Sequence, residues 1–443
     1  MTHRRIHFPC VLAGALAATT ALAGPAELEA ALRAEAGRVE AQVQSWRRDF
    51  HAHPELSNRE LRTAGVVADV LKGLGLEVRT GVAHTGVLGV LRGGGGAGPT
   101  IALRADMDGL PVTEATGLPF ASKVRTTYLG REVGVMHACG HDAHVAILLG
   151  AARALSAQRA ELPGTILFVF QPAEEGAPPG ERGGARLMLE EGAFEDPKPD
   201  VVLGLHVVPQ YEAGQIAVVP GGAMAGSDGL GIEIRGRQTH AAYPWLGVDP
   251  ITAASRVVLA LQSIPARQVD ARRPSVVSIG SIHGGVRGNI IPDRVELRGT
   301  IRHTHPPMQD ELHRLVRETA AKVAEAAGAE AEITIRKGYP VTYNDPALVR
   351  RVRPALERAA GTGNLVAGLA RTGAEDFSFF AREVPGVYFW LGIRERGTTP
   401  ESAAPNHSPH FRIDESALPV GVRAMALATA DLLMHGTGTD QAR

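Results

Sequence analysis

Cysteine is almost missing from this chain: its 443 residues contain two. That scarcity excludes a disulfide framework as the source of stability. Charge of one sign is missing as well, since 46 Lys and Arg balance 47 Asp and Glu to a formal net charge of -1. Without a basic or acidic surplus there is no electrostatic footprint for nucleic acid or an anionic membrane, and a small-molecule substrate is the natural expectation. Past the first two dozen residues, no apolar run is expected to reach the roughly twenty residues of a membrane span. The hydrophobic content of 44% is that of an ordinary soluble globular chain. The length exceeds what one hydrophobic core usually organises, so two domains are expected.

The opening residues read as an export signal. Arg4 and Arg5 give a positive start, residues 11–22 are a short apolar stretch, and Ala21-Leu22-Ala23 resembles a small-residue cleavage site before Gly24. The same stretch also fits a signal anchor or a buried N-terminal helix, and Arg4-Arg5 has the outline of a twin-arginine signal. The expected location is periplasmic or secreted. Cleavage after Ala23 removes Cys10 and leaves Cys139 without an intramolecular disulfide partner, so metal ligation is the better explanation for a thiol in an oxidising compartment.

Cys139 stands in the densest chemical segment of the chain, His137-Ala138-Cys139-Gly140-His141-Asp142-Ala143-His144. Thiolate and imidazole two residues apart can reach one ion from a single turn, and both suit zinc and its first-row neighbours. Thirty residues on, Gln171-Pro172-Ala173-Glu174-Glu175-Gly176 carries adjacent carboxylates. One can bind metal while the other transfers protons, and residue type alone does not say which. Extended backbone there would point them apart. Taken singly, the first segment also fits a buried small residue beside a surface imidazole and the second a solvated turn. Both, however, adjoin apolar runs suited to strands or helices, at the element ends where catalytic groups of α/β proteins collect.

Periodicity supports an α/β chain. Residues 26–50 have helical spacing, and Asn58 is the expected N-cap of a helix running to about Leu74, stopped by Gly75. Strands are expected at 87–91, 100–104, 165–170 and 201–206, with an Ala-rich helix over 143–155. Gly93 to Gly96 reads as a hairpin turn, since no Lys-Ser/Thr follows to make a phosphate loop. The middle changes rhythm: strand 230–234, helix 250–264, strands 276–282 and 294–301, helix 307–326 and strand 332–336 give a ferredoxin-like βαββαβ order. Helix then returns after Pro346, with a strand at 386–391 and a last helix over about 415–434. The expected fold is therefore a mixed, mostly parallel sheet with helices on both faces and an inserted βαββαβ unit. Its divisions are a signal peptide at 1–23, a discontinuous host domain at 26–224 and 341–443 and the inserted unit at 225–340, the last two expected as catalytic domain and lid or dimerisation domain on the family resemblance carried by the motifs that follow.

Seven ordered motifs then carry a resemblance. They are residues 47–56, Arg104-Ala105-Asp106-Met107-Asp108-Gly109-Leu110-Pro111, residues 136–144, residues 171–176, Gly204-Leu205-His206-Val207, Gly373-Ala374-Glu375-Asp376-Phe377 and Asn406-His407-Ser408-Pro409. In this series the chain resembles the metal-dependent amidohydrolases of the aminoacylase and carboxypeptidase family, in the branch of hippurate hydrolases and indole-acetyl-amino-acid hydrolases. The resemblance implies two divalent ions (Zn, Mn, Co or Ni) held by Cys139, His141, Glu175, His206 and His407, with a thiolate able to bridge. It implies Glu174 as general base and His240 as the group that stabilises the tetrahedral oxyanion, supplied by the neighbouring subunit of a homodimer. Asn289 and Arg302 match positions that hold the substrate carbonyl and α-carboxylate. Arg104 and Cys139 stand where peptidases of the wider superfamily carry His and Asp, which disfavours a broad di- or tripeptidase. Asp106, Asp142, His144 and Asp376 are then expected to support ligands by hydrogen bonds, and His51, His53 and Glu55 to be structural. The implied reaction is hydrolysis of an N-acyl amino acid to a carboxylic acid and a free amino acid. A metallo-exopeptidase acting on short peptides, and a non-catalytic periplasmic binding protein, are the alternatives.

Overall fold

The computed structural model describes residues 24–438, so the expected signal peptide, with Cys10, lies outside the described residues. The chain opens with two helices, Pro25–Arg38 and Glu40–Ala52, where the sequence spacing predicts one. The interruption falls at Val39, two residues after Gly37, whose weak helix propensity makes the break cheap. Asn58 does not cap the next helix. It adopts a left-handed φ of 61°, and its amide donates to Glu181 and to the carbonyl of Arg182. The helix Leu61–Gly73 is capped instead by the Glu55 carboxylate, which accepts from the backbone N–H of Arg62 and Thr63, both at 2.9 Å. Gly75 ends the turn in the left-handed region as expected.

Eight strands form the main sheet, in the spatial order Glu77–Val82, Gly86–Arg92, Thr165–Gln171, Thr100–Asp106, Val201–Glu212, Gly386–Arg394, Ile216–Val218, Leu365–Ala367. The central run from Thr165–Gln171 through Gly386–Arg394 is parallel, and its residues are buried almost throughout, which explains their unbroken apolar character. Gly93 to Gly96 is not a hairpin turn, because the strands on either side both pair with Thr165–Gln171 rather than with each other. The glycines pack instead against residues 159–164, where a Cβ on Gly93 would lie 1.9 Å from the Leu162 carbonyl oxygen. That approach requires glycine.

Helix His141–Ala157 is buried on nearly every side, beneath the terminal helix Leu418–His435 and the helix Glu40–Ala52. Contrary to the sequence expectation, the stretch Glu415–His435 is long and apolar enough to cross a membrane by length and composition. It lies inside the fold, with 83% of its apolar window buried, and needs no polar face because protein surrounds it.

The inserted unit has the βαββαβ order. Its antiparallel sheet runs Ser275–Gly284, Arg294–His303, Gly226–Arg235, Glu330–Tyr339, and helices Pro250–Arg267 and Met308–Glu325 cover one face around a separate core. Strand Gly226–Arg235 alternates between buried and half-exposed positions up to the exposed Arg235, the mark of a one-faced sheet. The chain leaves and returns side by side, since Gly221–Met224 pairs with Thr342–Asn344. That short ribbon lets the unit be inserted without disturbing the main sheet.

Candidate metal centre

The site begins at a turn that only glycine permits. Gly140 has φ 94°, and a Cβ on it would come within 2.3 Å of Val207. The turn places Cys139 just before, and His141 at the first position of, the buried helix His141–Ala157. His206 comes from the strand Val201–Glu212, with its Nε2 3.3 Å from Cys139 Sγ. His407 enters from the C-terminal loop at φ 69°, its N–H bonded to the carbonyl of Ala138, and its Nε2 also lies 3.3 Å from Cys139 Sγ. Glu175 completes the ring, 3.1 Å from His407 Nε2 and 4.0 Å from His141 Nε2.

All five residues expected to bind metal are thus brought together. Cys139 belongs to two compact sets of donors, one with His141 and His206 and one with Glu175 and His407. A thiolate shared by two sets is suited to bridge two ions. Two of the three imidazoles are oriented from behind: His141 Nδ1 faces Asp108 Oδ1 at 3.2 Å, and His206 Nδ1 faces the Val207 carbonyl at 2.8 Å. The forward atom His141 Nε2 is buried without a hydrogen-bond partner, and Glu175 Oε1 beside it has only the edge of His407. An orphaned nitrogen and a carboxylate oxygen around a thiol make a mixed donor set that fits a divalent transition-metal cation.

The electrostatics give the same answer. Burial, then Glu175 and Glu174, push the Cys139 thiol well above its ordinary value. Burial, then Glu375 and Glu175, do the same to the Glu174 carboxyl. Burial opposes a charge on His141, yet Asp106 and Asp108 overcome it and its pKa is pushed up to about 10. Anions crowded this closely in a dry site call for positive charge.

Glu174 and Glu175 diverge, but not through extended backbone. Ala173 sits in the left-handed region at φ 53°, and the pair lies in a turn whose N–H groups both donate to Asp108, at 3.1 and 3.0 Å. Glu175 faces His141 and His407, whereas Glu174, also close to His141, gathers with Asp106 and Glu375 and forms no ion pair with His407. Below them, Arg104 donates to Gln171, Asp106, Glu375 and Asp376 over 2.7 to 3.0 Å in a wholly buried network. Asp106 also holds His144 Nδ1, while His144 Nε2 accepts from the Val207 N–H at 2.9 Å. Both nitrogens of His144 are therefore engaged, and it positions the His206 strand instead of facing the donor ring. His51 is tied to Asp142 and Glu114, away from that ring.

Sequence reading missed Asp108, which binds both glutamate N–H groups, His141 and Ser57. It also missed Glu375, bonded to Arg104 and the Tyr388 hydroxyl. Both stood inside quoted motifs, but no local signal distinguished them from their neighbours.

His240, Asn289 and Arg302 are not gathered at this centre within one chain. His240 and Asn289 are exposed and adjacent on the inserted unit, where the Ala241 N–H donates to the Asn289 carbonyl. Arg302 is half-buried on the strand Arg294–His303 and donates to Thr300 and the Ile301 carbonyl. None of them lines the cavity of about 240 Å³ that opens on Cys139, Glu174, Glu175, His206 and His407. A larger groove of about 630 Å³, under the hairpin formed by Arg125–Tyr128 and Arg131–Gly134, also borders Glu175.

Comparison with known proteins converges on one family. Residues 102–431 match the model described as peptidase family M20/M25/M40. A thermostable carboxypeptidase of Saccharolobus solfataricus is 39% identical over 392 residues, covering 87% of this chain and 95% of that protein. An indole-acetyl-amino-acid hydrolase of Arabidopsis thaliana is 36% identical over 379 residues, covering 85% of this chain and 81% of that protein. Among solved structures, a dinuclear metal-binding peptidase of the M20 family from Bacillus subtilis superposes with a TM-score of 0.76 at 34% identity, over 90% of this chain and 99% of that one.

Proposed function

Since this chain belongs to peptidase family M20/M25/M40 and is a metal-dependent amidohydrolase, we propose that it cleaves the amide of N-acyl amino acids, with Glu174 as general base. The observation that carries the reading is the division of labour in the acidic pair. Glu175 is joined to His141 and His407, while the Glu174 carboxylate lines the cavity and accepts no hydrogen bond among the described residues. Cys139, His141, Glu175, His206 and His407 would hold the two ions. When bound, divalent ions supply Lewis acidity to the scissile carbonyl and acidify water. Glu174 takes the proton of the attacking water on a carboxylate oxygen and returns it to the leaving nitrogen. Asp108 and Asp106 keep the surrounding imidazoles in one tautomer, so no reorganisation is needed as charge develops.

The inserted unit, at 225–340, supplies the remainder from a second copy. His240 would face the oxyanion, while Asn289 and Arg302 would hold the carbonyl and α-carboxylate. The exposure of His240 and Asn289 supports this, as do Trp245, Leu259 and Val286, which stand 72%, 74% and 96% exposed on the same unit. Export through residues 1–23 completes the proposal and rests on their composition. N-terminal sequencing of the protein recovered from the periplasm tests it.

Protein reconstituted with Zn, Mn, Co or Ni, and assayed on hippurate, N-acetyl amino acids and dipeptides, tests the activity. Turnover of dipeptides alone would favour the exopeptidase reading, which the carboxypeptidase relative supports. Glu174→Ala should retain metal and lose about 10²- to 10⁴-fold in turnover. Full activity in that variant would overturn the assignment.

A further inference from the structure

The cavity beside the donor ring contains a cation that the reaction above does not use. Arg371 opens the segment leading to Glu375, and its backbone is fixed at both ends: its N–H donates to the Ala223 carbonyl, and its carbonyl accepts from the Ala225 N–H. The guanidinium lies over the Trp390 ring at 5.3 Å and donates to the Gln210 side-chain oxygen at 2.8 Å. Gln210 is neutral, and Arg371 is in no ion pair among the described residues.

Arg302 and Arg423 are also half-buried with no ion pair among the described residues, but neither borders the cavity of Cys139 and Glu174. Arg47, Arg104, Arg351 and Arg394 are all at least partly buried, and each faces a carboxylate. Arg371 is half-buried and faces the cavity of Cys139 and Glu174. Five N–H donors form a guanidinium fork, and here one of them is spent on the protein. Desolvated charge without a partner is costly unless a ligand supplies the counter-charge. Val208, Met224 and Trp390 form the apolar wall beside it, so the fork is the polar element that can fix an anion on that side.

We propose that Arg371 is an anion subsite of the catalytic cavity, binding a substrate carboxylate through its unspent fork. The inference rests on the N-acyl amino acid reading and adds a second point of recognition to it. The carboxylate has two possible sources: the α-carboxylate of the amino acid, or a carboxylate on an acidic side chain or acyl group. A planar fork held over an indole is pre-organised for either.

Calorimetric titration of the metal-loaded protein distinguishes them. Methionine is compared with methioninamide, glutamate with glutamine, and succinate with succinamate, in wild type, Arg371→Gln and Arg371→Lys. Metal content and melting temperature are measured alongside. In wild type the carboxylate member of at least one pair should bind about 10- to 100-fold more tightly, and Arg371→Gln should abolish that ratio. Arg371→Lys, which keeps the charge and loses the fork, should restore part of it. Loss confined to the methionine pair assigns the α-carboxylate; loss in the glutamate or succinate pair assigns the second carboxylate. Ratios that stay within about twofold of wild type in all three pairs of Arg371→Gln overturn the proposal. Binding is read without turnover, so an enzyme inactive on every N-acyl amino acid would refute the proposed function while leaving this result interpretable.

Discussion

Replacing Asp108 separates the support of the centre from the centre itself. Its buried carboxylate accepts from four donors: the N–H groups of Glu174 and Glu175, the Ser57 hydroxyl and His141 Nδ1. Asp108→Ala leaves all four unsatisfied in a dry site, at about 1–3 kcal/mol each. A loss of about 4–12 kcal/mol rivals the whole stability of a typical domain, about 5–15 kcal/mol, so this variant should be recovered unfolded or insoluble. Asp108→Asn is the informative change. It retains the shape and one carbonyl oxygen, but turns an amide donor toward a backbone donor and removes the negative charge behind His141. The folded variant should bind zinc about 10- to 100-fold more weakly, as outer-sphere changes at metal sites generally do. A competition titration against a chromophoric chelator measures this, with melting temperature recorded on the same samples. An Asp108→Asn protein that binds zinc and turns over like wild type would refute the argument that this carboxylate organises the centre.

Gly140→Ala places a Cβ 2.3 Å from Val207 at φ 94°; it should cost about 1–3 kcal/mol or more in denaturant unfolding and weaken metal binding through Cys139. Zinc at about a thousand times its Kd should raise unfolding free energy by about 4 kcal/mol over the chelated protein, and an unchanged melting temperature would argue against a metal centre. Burial opposes a charge on His51, but Asp142 and Glu114 outweigh it and raise its pKa above 6.5. The folded state therefore holds that proton more tightly, and the stability it contributes is full below about pH 6.5 and lost as pH rises through the folded value. The difference in unfolding free energy between wild type and His51→Gln should shrink across that range, and a difference independent of pH would disprove the assignment. Trp245→Asp should shift the protein toward monomer in light scattering and lower turnover without metal loss, since His240 is proposed to act across the dimer; an active monomer would rule that out.

Much of the framework was legible because its causes are local. The parallel strands announced themselves as apolar runs, since both faces are covered, and the inserted unit as a change of rhythm to a βαββαβ order. The misreadings share a different cause. Asn58 has the right residue type for a cap, yet Glu55 reached the same N–H groups and Asn58 was drawn to residues 181 and 182. Gly93 to Gly96 has the composition of a hairpin, yet strand Thr165–Gln171, which comes later in the chain, inserts between its neighbours. In both cases a partner distant in sequence overrode the local preference.

The same division holds at the centre. The sequence alone determined that Cys139 and His141 share a turn, because two residues of spacing around a glycine leave little else, and that two carboxylates stand together at 174 and 175. Only the tertiary structure decided which carboxylate faces which group, through the left-handed Ala173 and the grip of Asp108 on two successive N–H groups. Only it brought His407 to Cys139 across 268 positions and left Arg371 facing the same cavity with no carboxylate partner among the described residues. Residue type and spacing set what a side chain can do; its direction is set by hydrogen bonds and packing from segments that meet only when the chain has folded.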